Sequence, residues 1–391
     1  MSLDRKRILH FIESGGVYGA ERVILNLSRE MKCTPDLEPV VGCIVNSWHE
    51  QSALYDAALA QGIEALKIPI SNTRLLIALP RAASLLREQK IDLIHSHGYK
   101  PSVFGFVIRL ITDIPIITTC HLWFEPNRAP IKTRVMVSLE KFFYRWFPRI
   151  IAVSEPIKKT LVDHGIKSER IEVIKNGVDI PELNLGEIEK ALIRTELNIA
   201  PSTFCILNAG RLVRQKSQRT LVEAAAILKK NGVFQDSDST ARSGFHIIVV
   251  GEGPLQTELK CLITQYQLED CVSLLGFRSD IDRLLAIADV FALPSLDEGM
   301  PMALLEAAAA QVAIITTAVG DIAKLITHEV TGLIIPKENP KALADAIQVL
   351  AEDTENRRRL AATARVAMQA QNSGHVMGQE YQLVYKNLLA I

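Results

Sequence analysis

Two carboxylates with seven residues between them stand in the run Pro294-Ser295-Leu296-Asp297-Glu298-Gly299-Met300-Pro301-Met302-Ala303-Leu304-Leu305-Glu306-Ala307. An apolar strand is predicted to end at Ser295, and an Ala-rich helix to start near Pro301, a favoured first-turn residue. The first backbone N–H groups of such a helix have no intrahelical partner and point toward an anion. Glu298 in the loop and Glu306 in the helix are good acceptors for sugar or ribose hydroxyls. An acid beside an apolar helix face is costly without a partner, although Glu306 also fits a solvated acid favoured by the helix dipole. A second run, Gly210-Arg211-Leu212-Val213-Arg214-Gln215-Lys216-Ser217, follows a strand ending at Ala209, and Ser217 is placed to cap the next helix. Arg211 and Lys216 then flank the strand end. A planar fork and a point charge there suit a diphosphate; the alternative is two solvated surface charges.

Other strand-to-helix turns carry unusual residues. Glu13-Ser14-Gly15-Gly16-Val17-Tyr18-Gly19-Ala20-Glu21 follows the first strand, and its glycines let backbone approach a ligand or simply make a tight turn. Gly251-Glu252-Gly253-Pro254 has Gly-x-Gly, but position 256 is Gln, so the dinucleotide fingerprint is absent. Leu275-Gly276-Phe277-Arg278-Ser279-Asp280 could hold a nucleobase through backbone groups, or be a turn around a core Phe. His95-Ser96-His97-Gly98 and Thr118-Thr119-Cys120-His121-Leu122-Trp123 place histidines at two further strand ends. For His95 and His97 a structural role is the simpler reading.

Short apolar runs alternate with amphipathic segments along all 391 residues. Strands are predicted near 7–12, 38–45, 64–69, 91–96, 114–120, 149–153 and 171–174, then near 203–209, 245–250, 271–275, 289–293, 312–316 and 332–335. Helices fall between them, at 19–31 and 75–89 and again at 217–231, 254–266, 301–311 and 339–351. This alternation predicts parallel sheets with helices on both faces, in two doubly wound α/β domains. In such sheets ligands bind beyond the carboxyl ends of the strands, where the motifs above lie. The boundary falls near 177–185, at Asn176-Gly177-Val178-Asp179 and Pro181. Residues 233–244 read as a polar surface loop.

Composition narrows the possibilities. Lys plus Arg and Asp plus Glu both number 44, which argues against nucleic acid as a partner. The balance is uneven: residues 1–180 carry 24 basic and 19 acidic side chains, and the remainder 20 and 25. The six cysteines form no Cys-x-x-Cys pair and read as reduced buried thiols, with no zinc centre. Asp236-Ser237-Asp238 and Asp280-Ile281-Asp282 have metal-like spacing, but no metal or other cofactor is expected. No secretory signal is visible, and the longest stretches free of Asp, Glu, Lys and Arg are 14 residues, against about 20 for a bilayer span. The expected location is the cytoplasm, or the inner face of the cell membrane.

Taken in order, Gly210-Arg211-Leu212 with Lys216, Glu298-x7-Glu306, Ala152-Val153-Ser154-Glu155, Asn176-Gly177-Val178-Asp179 and His95-Ser96-His97-Gly98 resemble the signature of the family 4 glycosyltransferases, over nearly the whole chain. The resemblance implies the GT-B fold, two Rossmann-like domains facing a central cleft. Residues 1–180 would bind the acceptor and 181–373 the nucleotide sugar, with a helix over about 374–391 packing back onto the first domain. It implies retaining transfer of a hexosyl group from a nucleotide sugar, UDP favoured and GDP allowed, to a glycan or lipid-linked acceptor in surface polysaccharide or glycolipid synthesis. Arg211 and Lys216 would hold the diphosphate, Glu298 the transferred sugar, and Glu306 the ribose. Phe277 and Arg278 would border the base. Gly15 and Gly16 would close over the phosphate, while Gly251 and the backbone of Gly299, Met300, Met302 and Ala303 would line the donor; Pro301 has no N–H to give. His121 would sit near the transferred sugar. The family usually has Lys-Gly where this chain has Lys216-Ser217. A nucleotide-sugar epimerase of the same fold, or a non-catalytic nucleotide-sugar-binding protein, is the alternative.

Residues 128–149 carry six basic side chains, one acidic one and five aromatics. Val135, Leu139, Phe142 and Trp146 follow helical spacing and are expected to pack inward. The remaining basic and aromatic surface fits either domain packing with solvated charge or contact with an anionic membrane and a lipid-linked acceptor.

Overall fold

The computed structural model describes residues 5–17, 19–71, 74–121, 131–179, 185–232, 234 and 244–390, with the side chains of 131–133 excepted. Leu122, Trp123, the segment 128–130, Pro181, Asp236 and Asp238 lie outside the described residues, as does most of the polar run 233–244. The chain divides into two compact units, Met1–Gly177 with Gly374–Ile391, and Val178–Ser373.

The first unit holds strands β1 (Lys6–Glu13), β2 (Leu37–Val45), β3 (Glu64–Pro69), β4 (Leu93–His97), β5 (Ile116–Cys120), β6 (Ile150–Ala152) and β7 (Ile171–Val173). They form one sheet in the order β3-β2-β1-β4-β5-β6-β7, and every pairing is parallel. The second unit holds β8 (Phe204–Ala209), β9 (Phe245–Val250), β10 (Val272–Leu274), β11 (Val290–Leu293), β12 (Ala313–Thr317) and β13 (Leu333–Ile335), in the order β10-β9-β8-β11-β12-β13. These strands are near-continuous apolar runs because both faces of each sheet are covered by helices. Strand order reverses between β1 and β4 and again between β8 and β11. A doubly wound sheet opens its binding crevice at that switch point.

Helix starts follow local chemistry. Ser154 caps Glu155–Asp163 by accepting from Ile157 N–H, and Asn339 caps Pro340–Glu352 by accepting from Ala342 N–H. In both helices proline occupies the first turn, where its missing N–H costs nothing.

The helix Gly374–Leu389 belongs to the first unit and packs on the helix Gly19–Lys32. Its Tyr381 and Tyr385 are among the largest fully buried side chains of the molecule.

The stripe expected to pack inward on the helix Ile131–Phe143 faces outward instead. Val135, Leu139, Phe142 and Trp146 are 53, 38, 49 and 47% exposed. The buried residues of this segment are Val137, Glu140, Tyr144 and Phe147, and Phe143 stacks on Phe106 at 4.4 Å. Both sets satisfy helical spacing, so periodicity alone could not choose the inner face. The thiols divide as well: Cys43, Cys120, Cys205 and Cys271 are buried, but Cys33 and Cys261 are exposed. Among the described residues no helix is long and apolar enough to cross a membrane.

Candidate active site

In the second unit the loops that follow five consecutive strands are tied to one another by hydrogen bonds. The Gly210 N–H donates to Val250 O (2.9 Å), Leu212 N–H to Glu252 O (2.9 Å) and Gly251 N–H to Gly276 O (2.8 Å). Across the switch point, Leu296 N–H donates to Gln215 O (2.7 Å) and the Gln215 side-chain amide to Asp297 O (2.7 Å). Asp321 N–H donates to Gly299 O (3.1 Å). Two glycines make this approach possible. Gly251 has φ +133°, and a Cβ there would collide with the Gly210 carbonyl. Gly320 has φ +54°, and a Cβ there would collide with the Glu298 carbonyl. Gly320 was not singled out in the sequence, because its requirement comes from a neighbouring loop.

Lys216 and Glu298 meet at this junction. Lys216 Nζ lies 2.5 Å from Glu298 Oε1, which also accepts from Ser295 Oγ at 2.7 Å. Their side chains are only 15 and 6% exposed. A buried pair of this kind adds little net stability, because desolvation offsets the attraction. What it does provide is a fixed ammonium with further N–H bonds beside a strand end. The helix Met302–Ala309 begins next to it. Leu304 and Leu305 N–H both return to the Pro301 carbonyl, so Met302 and Ala303 carry the orphan donors of the helix start. Met300 and Met302 are buried. Glu298 and Glu306 are on the loop and helix expected of them, Glu306 being half-buried. Arg211 is exposed and makes no ion pair with another described residue.

One detail differs from the sequence reading, and the contacts of Arg278 and Asp280 add to it. Ser217 does not cap its helix: it sits in the left-handed region at φ +52°, and its hydroxyl faces Thr220 Oγ1 at 2.9 Å. That backbone conformation is one that glycine adopts freely. Arg278 is engaged by Asp280 (2.7 Å) and Glu196 (3.1 Å), and the Asp280 hydrogen bond raises its pKa further; Phe277 beside it is 40% exposed. Asp280 also meets Arg283 at 3.1 Å, so this half of the Asp280-x-Asp282 pair is occupied by guanidinium groups.

In the first unit, Gly15 is exposed and Gly16 buried at the end of β1, where Gly16 N–H donates to Ser14 Oγ at 3.2 Å. At the ends of the next strands lies a cluster that the sequence reading missed in part. His10 on β1 pairs in register with His95 on β4, and His97 with Thr119 on β5. His121 follows Thr119 by two residues. All five side chains therefore share one face of the sheet. His10 Nδ1 lies 3.2 Å from His97 Nε2, and His97 Nδ1 lies 3.0 Å from His121 Nε2. His95 contacts Tyr385 Oη through Nδ1 and Thr119 Oγ1 through Nε2, both at 2.7 Å; Thr119 Oγ1 meets Tyr381 Oη at 3.0 Å. Burial pushes His10 down to about 3 and His121 to about 4. Burial, then the neighbouring histidines, holds His95 and His97 well below the usual range. These are neutral rings at pH 7. His10, His95 and His97 bring potential ligand nitrogens within 4.8 Å of one another, but each ring nitrogen already has a protein partner. The signal for His10 was available in sequence: two histidines two apart on one strand and another histidine on a predicted strand.

Comparison with known proteins agrees with this architecture. The family described as glycosyl transferases group 1 matches residues 189–367, and the one described as glycosyltransferase family 4 matches residues 17–182. The chain is 29% identical over 277 residues to the UDP-Gal:alpha-D-GlcNAc-diphosphoundecaprenol alpha-1,3-galactosyltransferase of Escherichia coli, covering 69% of this chain and 68% of that one. It is 27% identical to the N,N'-diacetylbacillosaminyl-diphospho-undecaprenol alpha-1,3-N-acetylgalactosaminyltransferase of Campylobacter jejuni, covering 78% and 80%. Among solved structures, Anabaena HepE in complex with UDP and glucose superposes with a TM-score of 0.80 at 22% identity, covering 98% of this chain and 100% of that one. A glycosyltransferase from Rickettsia africae gives 0.79 at 20% identity, covering 99% of each chain. At these identities the structural likeness speaks to the fold, which is of the GT-B type. With two family descriptions matching successive stretches over most of its length, the chain belongs to the group 1/family 4 glycosyltransferases.

Proposed function

We propose that this glycosyltransferase moves a hexosyl group from a nucleotide sugar to a glycan or lipid-linked acceptor, with retention at the anomeric carbon, in surface polysaccharide or glycolipid synthesis. UDP is the favoured nucleotide and GDP the second. The observation that carries the reading is the Lys216–Glu298 pair beside the orphan N–H groups of Met302 and Ala303. A cation and a helix start, fixed before any ligand arrives, suit a diphosphate whose charge grows as it leaves. In this reading the bond from the anomeric carbon to the diphosphate oxygen breaks. The acceptor oxygen bonds to that carbon on the same face, and its proton passes to the departing phosphate oxygen. Lys216 and Arg211 stabilise the leaving diphosphate, Glu298 accepts from a sugar hydroxyl, and Glu306 accepts from the ribose. Gly251, Gly299 and Met300 line the donor with backbone, and Phe277 and Arg278 border the base. The first unit serves the acceptor, with His121 near the transferred sugar and Gly15 and Gly16 closing over the donor phosphate. The relatives that carry undecaprenol-linked acceptors in their names support an acceptor of that chemical class.

A lipid-linked acceptor also gives the exposed stripe of Val135, Leu139, Phe142 and Trp146 a role. Arg134 and Arg145 are exposed on the same segment, and this combination suits an anionic membrane surface. Purified protein should co-sediment with anionic vesicles at low salt, and absence of binding there would remove the membrane contact. The transfer itself is tested with UDP-glucose, UDP-galactose and UDP-N-acetylhexosamines against undecaprenyl-diphosphate-linked sugars. Product with an α-linkage from an α-linked donor supports the reading. Epimerised donor without acceptor consumption contradicts it.

A further inference from the structure

We propose that Met31, His10 and His97 act as positioning residues that set the tautomer of His121, so that its ring meets a ligand as a hydrogen-bond acceptor through Nδ1. The buried end of the histidine chain fixes the first proton. His10 Nε2 lies 3.4 Å from the thioether sulfur of Met31, and both residues are fully buried. A thioether accepts a weak hydrogen bond and cannot donate one. A neutral imidazole carries one proton, and the proton of His10 therefore belongs on Nε2, facing the sulfur. The opposite tautomer would set a nitrogen lone pair against a sulfur lone pair between two fully buried side chains.

The rest follows link by link. His10 Nδ1 is left with a lone pair, so His97 Nε2 is the donor across their 3.2 Å contact. His97 has then spent its one proton, and its Nδ1 accepts. His121 Nε2, 3.0 Å away, is the donor into it. His121 Nδ1 is left with a lone pair and has no partner among the described residues. His121 is also the one ring of the chain that is not fully buried. His95 does not interfere with this order. Its partners, Thr119 and Tyr385, are hydroxyls that donate or accept equally well, and its ring packs on His97 with centroids 4.2 Å apart.

The consequence concerns which ligand group His121 recognises, and it rests on the transferase reading above. A ring that presents a lone pair accepts a hydrogen bond from a hydroxyl and repels a phosphate oxygen. His121 therefore meets a hydroxyl of the sugar or of the acceptor, not the diphosphate.

The test is spectroscopic and needs no turnover. The full chain is labelled with 15N-histidine, and long-range 1H–15N correlations are recorded near pH 7.5 without ligand, with single His→Gln variants for assignment. The expected result is a neutral His121 protonated on Nε2, with His10 and His97 in the same tautomer. In Met31→Leu, which removes the acceptor and keeps the volume, the His121 nitrogens should shift toward the average of the two tautomers although the substitution lies two rings away. A wild-type His121 protonated on Nδ1 overturns the proposal. So does a His121 spectrum identical in wild type and folded Met31→Leu. If Met31→Leu does not fold, the wild-type spectrum decides alone. Failure here leaves the nucleotide-sugar reading intact, because that reading is tested separately by UDP affinity in Lys216→Ala.

Discussion

The two units solve the same topological problem with opposite electrostatics. Each opens at the switch point of a parallel sheet. The first lines its strand ends with neutral, buried, mutually satisfied groups: His10, His95, His97, Thr119, Tyr381 and Tyr385. The second lines them with the charged pair Lys216–Glu298, the exposed cation Arg211 and the open start of a helix. A neutral platform has hydroxyl chemistry and no counter-charge to offer an anion. A fixed cation beside orphan N–H groups suits a diphosphate. In the proposed reaction, this contrast gives the diphosphate to the second unit and the hydroxyls to the first.

The largest expected effect separates the units mechanically. Ending the chain at residue 373 removes the helix that buries Tyr381 and Tyr385 and satisfies His95. The first unit should lose more than about 4 kcal/mol, the scale of losing two large buried aromatics. A truncated chain with an unchanged melting profile would break the comparison. Acid should act on the same unit. His10 is held at about 3 in the folded state against about 6.5 unfolded, so the unfolded chain binds the extra proton. Stability should therefore be full above pH 6.5 and fall as the pH drops through the window down to about 3. By pH 4 this one ring costs about 3 kcal/mol. Chemical denaturation at pH 7 and pH 4.5 should show the first unit weakening more than the second; equal losses would contradict the assignment of neutral rings.

Smaller changes sharpen the contrast. Glu140 is buried under Tyr144, and burial raises its carboxyl to about 7. A raised folded value favours the protonated form, so this group's contribution is present below pH 4.5 and lost as pH rises through 7. Glu140→Gln should gain about 3 kcal/mol at pH 8 to 9 and little at pH 5. A gain independent of pH would show that charge is not the cause. The smallest effect is in the second unit. Ser217→Gly relieves a left-handed residue but loses the Thr220 contact, and it should raise stability by no more than about 1 kcal/mol. A clear loss would mean that the hydroxyl pair matters more than the backbone.

Much of this was legible in the sequence, for physical reasons. Parallel strands covered on both faces are written as apolar runs, and all thirteen are found where such runs predict them to within about two residues. Glu298 and Lys216 were legible because they stand in loops after strand ends, where a doubly wound sheet exposes its loops, and Glu306 because it lies in the helix that the Glu298 loop opens. What escaped depends on contacts between distant residues. Val135, Leu139, Phe142 and Trp146 share a helical face with nothing in their spacing to say which way it turns. Gly320 matters only because the Glu298 carbonyl lies against it. His10 becomes informative once β1 and β4 are known to be neighbours, and Met31 once the helix Gly19–Lys32 is placed over them.

The account rests on Lys216 holding a nucleotide diphosphate in the second unit, and calorimetric titration of UDP into wild-type protein and Lys216→Ala tests it most directly. The expected result is measurable UDP binding to wild type and at least a tenfold loss in the variant, about 1.4 kcal/mol or more, with the variant still folded by circular dichroism. Equal affinity in the two proteins would contradict the site.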